Sequence, residues 1–318
     1  NRQPGEAGKP KFNRAVASTA AAQRSFPPGS EWLYAQIYCG ATTADQILRE
    51  AIAPAAKEAI AGGAADQWFF IRYSDPAWRL RARFHGQTER LRHEVWPMLQ
   101  SALAPMFEDG RVWRVQLDTY EREVERYGGA EGIAMSEQVF YADSEAAAEI
   151  VGLLDQSDAG LDERWRLALC GIDRMLNDLR FDTAAKLEIV KSVRASFLAE
   201  FKANEALLDQ LSERYRKERK RLEPLLDLAQ DAQSALAPGL AVFERRSLKL
   251  RAVAEDLRCA EHEGRLSLPL ANIAESYLHM SANRLLRSAH RAQEMALYDL
   301  LTRLYSAQRA RRQMARAA

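Results

Sequence analysis

The sequence predicts an α+β fold: a sheet-rich N-terminal half with a split βαβ-like antiparallel sheet, packed against a helical C-terminal half. Two observations carry this expectation. Runs rich in aromatic and β-branched residues stop by Leu117 and alternate with helical patterns in the order βαββαβ, the sequence form of a split βαβ unit. Beyond Ser144 the apolar residues recur only at helical spacing, so the strands and most of the helices separate along the chain.

In chain order, residues 1–30 hold Pro, Gly, Lys and Arg with few aliphatic residues beyond Ala and Val, and read as a flexible N-terminal arm. The remainder, 31–318, is expected to form one α+β domain, sheet-rich over 31–144 and helical over 145–318. Trp32–Tyr38 reads as the first strand. Thr42 or Thr43 then caps a helix running to about Ile60, with Ile47, Leu48 and Ile52 on one face, Pro54 placed to bend it, and Gly62-Gly63 as its stop. Trp68–Tyr73 and Arg79–His85 read as the second and third strands. A helix over Thr88–Leu103 and a fourth strand over Arg111–Leu117 complete the unit. Helices follow at Ser144–Leu154, Asp162–Leu179, Thr183–Phe201 and Glu205 to about Ala235, and then from Pro238 onward with weaker breaks.

A formal net charge of +1 with 28% charged residues gives no global field that would draw nucleic acid or a membrane surface. Cys39, Cys170 and Cys259 are too scattered for a disulfide framework or a zinc site, which fits a reducing cytoplasm. No run approaches the roughly 20 apolar residues of a membrane helix. The basic run Glu213–Arg221 is interleaved with acids and reads as a solvated amphipathic helix. The Arg303–Arg316 cluster reads as the basic face of a last helix.

What periodicity does not explain is Asp118-Thr-Tyr-Glu-Arg-Glu-Val-Glu-Arg-Tyr-Gly-Gly129, a dense Glu/Arg segment between a strand and a Gly-Gly turn. As a plain surface ladder, its pairs would contribute a few tenths of a kcal/mol each. With the arginine-bearing strand Arg79-Leu-Arg-Ala-Arg-Phe84, it can instead pool charge in one place. In a helix from about Leu270, Glu275, His279 and Asn283 share a face at i, i+4 and i+8. A helical histidine taken alone is most often structural.

Five ordered blocks, Trp68-Phe-Phe-Ile-Arg-Tyr73, Arg79-Leu-Arg-Ala-Arg-Phe84, Asp118–Gly129, Phe140-Tyr-Ala-Asp-Ser144 and His279-Met-Ser-Ala-Asn-Arg-Leu285, resemble the C-terminal domain of class I lantibiotic dehydratases. This is also called the thiopeptide-type bacteriocin biosynthesis domain, and the chain resembles its stand-alone form. The resemblance implies elimination of glutamate from glutamylated Ser or Thr of a precursor peptide, giving dehydroalanine or dehydrobutyrine. The implied partners are that peptide, with its leader and glutamylated core, and a stand-alone protein that glutamylates it from glutamyl-tRNA. No cofactor, metal, direct nucleic-acid contact or membrane is implied, and a homodimer stays open. A pyridine-forming cyclase of thiopeptide biosynthesis and a non-catalytic peptide-binding subunit are the alternatives.

The chemistry fits these residue types. Removing a proton next to an amide needs a base, stabilisation of the developing enolate and a cationic cradle for the departing carboxylate. Carried over from the family, His279 is the general acid/base, Arg83 and Arg126 hold the glutamyl carboxylates, Arg81 supports them, and Glu123 orients or carries a proton. Arg79, Tyr127, Asn283 and Arg284 complete the expected substrate-binding set. Arg79 stands where the family usually has His.

Overall fold

The computed structural model describes residues 23–154, 158–226, 235–288 and 290–317. Its centre is a four-stranded sheet of β2 (Trp32–Cys39), β3 (Gln67–Tyr73), β4 (Arg79–His85) and β5 (Val112–Leu117), ordered β3-β4-β2-β5 and antiparallel throughout. This is the expected split βαβ topology. The pleat sorts the side chains. Leu33, Ala35, Ile37, Phe70, Leu80, Ala82 and Phe84 share one apolar core with Ile47, Leu48, Ile52, Leu91, Val95 and Leu99 of the two crossover helices. The opposite face carries Arg79, Arg81 and Arg83, which pair across with Tyr38, Gln36 and Tyr34 on one side and with Tyr73, Ile71 and Phe69 on the other.

Each crossover helix is interrupted. Helix α1 (Ala44–Ile47) passes through a π turn at Leu48–Ile52 into α2 (Ala53–Ala61), and α3 (Thr88–Arg90) passes through one at Leu91–Val95 into α4 (Trp96–Glu108). Pro54 and Pro97 stand just after the two turns. In a regular helix a proline ring strikes the carbonyl four residues back, and the wider turn relieves that contact. Pro54 therefore acts through a local widening rather than a break.

Part of the expected arm is ordered. Ser25–Phe26 form β1, which pairs with β6 (Tyr120–Glu121) because Phe26 buries its ring against Tyr120 and Trp32; residues 1–22 lie outside the described residues. The helix expected from Ser144 begins at Ala130, so the 144/145 boundary falls inside α5 (Ala130–Leu153) and both halves share that helix. Its apolar stripe is masked in the sequence by Gly132 and by the buried polar residues Ser136, Glu137, Asp143 and Ser144.

Helices α6 (Asp158–Asp178), α7 (Thr183–Glu200), α8 (Glu205–Leu226), α9 (Ala237–His262), α10 (Leu270–Leu285) and α11 (His290–Ala317) complete the helical half. The last part of the helix expected over Glu205–Ala235, residues 227–234, lies outside the described residues.

The outer edge of β3 is closed by side chains rather than by another strand. Asn283 accepts from Arg72 N and donates to Arg72 O, both at 2.9 Å. Phe70 N donates to Ser144 Oγ at 3.2 Å, and Phe70 O accepts from Arg284 Nε at 3.0 Å. Two buried carboxylates brace this joint. Asp45 accepts from Arg72 and Arg164, each at 2.6 Å, and Asp143 from Arg246 at 2.7 Å and Arg284 at 2.9 Å. Each of these ions is paired, which offsets the desolvation that burial imposes. Replacing Asn283 with Leu strips two buried backbone groups of their partners. We expect a loss of about 3 kcal/mol in urea unfolding; a loss below about 1 kcal/mol would show that the edge does not depend on Asn283.

Candidate active site

Between the arginine-bearing sheet face and α10 lies a cavity of about 720 Å³. It brings together Arg81 and Arg83 of β4, Glu123, Arg126 and Tyr127 of the segment after β6, and His279, Asn283 and Arg284 of α10. Arg79 does not line it.

The segment Arg122–Gly129 folds as a compact turn, with Arg126 N and Tyr127 N both bonded to Glu123 O. Gly128 and Gly129 close it at φ +83° and +97°, and a Cβ on Gly128 would lie 2.6 Å from Ile273 Cδ1. The Glu/Arg run is thereby divided among three partners: Glu125 to Arg24 at the surface, Arg122 to Glu137, and Glu123 to Arg126 at 3.0 Å. Arg126 is half-exposed and also donates to Ser276 Oγ of α10 at 3.1 Å. Tyr127 is buried between Phe140 and Tyr277, and burial pushes its hydroxyl up to about 12.

Arg83 is the unusual group. It is 7% exposed, and its guanidinium lies 4.2 Å from the Tyr34 ring centre, 4.8 Å from Tyr120 and 5.3 Å from Phe69. Burial pushes its pKa below the ordinary arginine value. Arg81 lies 3.5 Å from the Tyr73 ring centre. The Nε of each is buried without a partner, and among the described residues neither side chain forms an ion pair. The other guanidiniums at the cavity all have carboxylates: Arg72 has Asp45, Arg126 has Glu123, Arg284 has Asp143 and Arg291 has Glu200. A buried cation held only by ring faces is left open to an anion entering the cavity.

Across the cavity His279 engages Glu294 of α11, Nδ1 to Oε2 at 2.8 Å, with Glu294 fully buried. A carboxylate on Nδ1 makes that nitrogen the donor and leaves Nε2 as the basic nitrogen of the neutral ring. Glu294 was not among the expected residues. The trace it leaves is its place on the stripe Glu294, Tyr298, Leu301, Tyr305, an acid where the helix face is otherwise apolar and aromatic.

Three of the expected substrate ligands have structural tasks. Arg79 is buried, donating to Gln36 Oε1 and to the carbonyls of Asp75 and Ala77. Arg284 is consumed by Asp143 and Phe70 O, and Asn283 by the Arg72 backbone. Asn283 and Arg284 line the cavity because they hold the β3 edge beside it, whereas Arg79 ties Gln36 to the β3–β4 turn. Among the described residues no three His, Cys, Asp or Glu side chains group as metal ligands, and no helix is long and apolar enough to cross a membrane.

A split βαβ sheet closed by a helical layer defines an α+β domain, and its cleft sets arginines that have no carboxylate partner among the described residues opposite a carboxylate-held histidine. The chain belongs to the lantibiotic biosynthesis dehydratase C-terminal family, whose model matches residues 32–305. It is 32% identical over 135 residues to subtilin biosynthesis protein SpaB of Bacillus subtilis, covering 41% of this chain and 12% of that protein. It thus spans about an eighth of that curated relative's length. In fold it is similar to the tRNA-dependent lantibiotic dehydratase MibB from Microbispora sp. 107891, with a TM-score of 0.70 and 23% identity over 94% of this chain and 29% of that one. It is also similar to the pyridine synthase TbtD from thiomuracin biosynthesis, with a TM-score of 0.62 and 15% identity over 87% of this chain and 98% of that one.

Replacing Arg83 with Met removes ring contacts of about 0.5–2 kcal/mol but also an unpaired buried charge. We therefore expect the unfolding free energy to stay within about 1 kcal/mol of the parent in the absence of ligand; a loss above about 2 kcal/mol would make Arg83 a structural pin.

Proposed function

We propose that this domain eliminates glutamate from glutamylated Ser or Thr side chains of a ribosomal precursor peptide, leaving dehydroalanine or dehydrobutyrine. The observation that supports it most is the pairing, in one cavity, of two arginines without carboxylates and a histidine whose other nitrogen is held by Glu294. Family membership supports a dehydration role, and the glutamyl chemistry is our reading of the site.

In this reaction His279 Nε2 takes the α proton of the acylated residue. The freed electron pair forms the Cα–Cβ double bond as the Cβ–O bond breaks, and glutamate departs as its carboxylate. Glu294 stabilises the imidazolium that forms and keeps Nε2 as the reacting nitrogen. Arg83 and Arg126 receive the glutamyl carboxylates, Arg81 reinforces the positive potential, and Glu123 orients Arg126. The glutamyl group is installed beforehand by a tRNA-dependent glutamylation protein, the partner in this proposal, and the compartment is the cytoplasm, where glutamyl-tRNA is available. No metal or organic cofactor takes part.

A second reading, pyridine formation, draws on the fold likeness to TbtD over nearly its whole length. The two readings differ in what a crippled enzyme leaves behind. With the glutamylation partner present, His279→Ala should accumulate peptide that retains each glutamyl adduct by mass spectrometry. Accumulation of fully dehydrated linear peptide would overturn elimination in favour of cyclisation. Activity should survive chelation and desalting undiminished, and strict dependence on added metal would sink the cofactor-free scheme.

A further inference from the structure

We propose that Asp118 determines specificity by receiving the free α-ammonium of the glutamyl group while Arg83 receives its side-chain carboxylate. This rests on the elimination reading above. A glutamyl ester derived from an aminoacyl-tRNA carries two opposite charges, a protonated α-amino group and a side-chain carboxylate. A cavity with cations alone would accept any dicarboxylic acyl group equally well, so selection of an amino acid needs an anion placed against the ammonium.

Among the carboxylates lining the cavity, Glu123 is committed to Arg126, Glu121 accepts from Ser25 Oγ, and Asp75 is exposed. Asp118 differs from all three. It is half-buried, and among the described residues it forms no ion pair.

Its carboxylate is fixed by neutral donors, Gln36 Nε2 to Oδ2 at 2.5 Å and Thr119 N to Oδ1 at 2.8 Å. Gln36 cannot turn its amide over, because Arg79 Nε donates to Gln36 Oε1 at 2.5 Å and Arg79 is itself anchored by two carbonyls. The buried Arg79 thus acts at a distance, through Gln36, to hold an anion at the cavity wall. Asp118 N also donates to Tyr34 O at 3.1 Å, and the Tyr34 ring is the surface on which Arg83 rests. Anion and cation therefore flank one residue, as a single amino-acyl group with both charges requires. Both act on the Tyr34 hydroxyl, whose pKa burial raises and Arg83 opposes.

L-glutamate and glutarate test this directly, because glutarate is glutamate without the ammonium. Titrating each into the intact chain by calorimetry, we expect glutamate to bind about tenfold or more tightly than glutarate, from the charged hydrogen bond that only glutamate makes. Asp118→Asn, which keeps the shape and, with its one carbonyl oxygen turned to Gln36 Nε2, that contact at the loss of the Thr119 N bond, should weaken glutamate by that factor and leave glutarate within about threefold of its parent value. Equal binding of the two ligands by the parent, or an equal loss of both in the variant, would overturn the role of Asp118 while leaving the arginine cradle standing. Failure of both ligands to bind would overturn the elimination reading along with it.

Discussion

An edge strand presents backbone donors and acceptors that must be satisfied, and in this protein the way β3 is satisfied determines where everything else goes. Asn283, Arg284 and Ser144 occupy the positions that a fifth strand would fill. Because the first two sit on α10 and the third on α5, the helical half can dock on the sheet in only one register. The buried Asp45 and Asp143 clusters enforce that register by penalising any shift that would leave a charge unpaired. Docked in this way, α10 faces the arginines of β4, and the cavity is what remains between them.

The electrostatics of the cavity follow a different rule from those of the joint. In the joint every guanidinium meets a carboxylate, and the result is rigidity. In the cavity Arg81 and Arg83 rest on aromatic rings instead, which cushion a positive charge without neutralising it. That leaves a potential that a ligand can use, at the expense of some folding stability, a common trade at functional sites.

Much of this was legible in the sequence. The order of strands and crossover helices follows from periodicity and turn chemistry, and all four strands of the main sheet lie within a residue or so of their expected limits. The dense Glu/Arg segment and the Arg-x-Arg-x-Arg strand do reach one cavity, with His279 opposite. What could not be read were partnerships across long separations. Arg79, Arg81 and Arg83 look alike along a strand, yet Gln36 and two carbonyls take up the first while the other two remain open. Glu294 acquires its role from a histidine on another helix. In α5, buried polar residues that serve the joint break the apolar pattern by which a helix is recognised.

The pin and the cavity histidine share helix α10, with Asn283 four residues after His279, about one helical turn. The covalent chain is therefore a gauge: once Asn283 has gripped the backbone of β3, helix pitch sets where His279 stands relative to the sheet, and Glu294 holds its ring there. The length of this turn is fixed, since a single inserted or deleted residue would swing His279 by about 100° around the axis and out of the cavity, or else release the sheet. The count of residues between Asn283 and His279 is thus a dimension of the cavity, as fixed as any bond length within it.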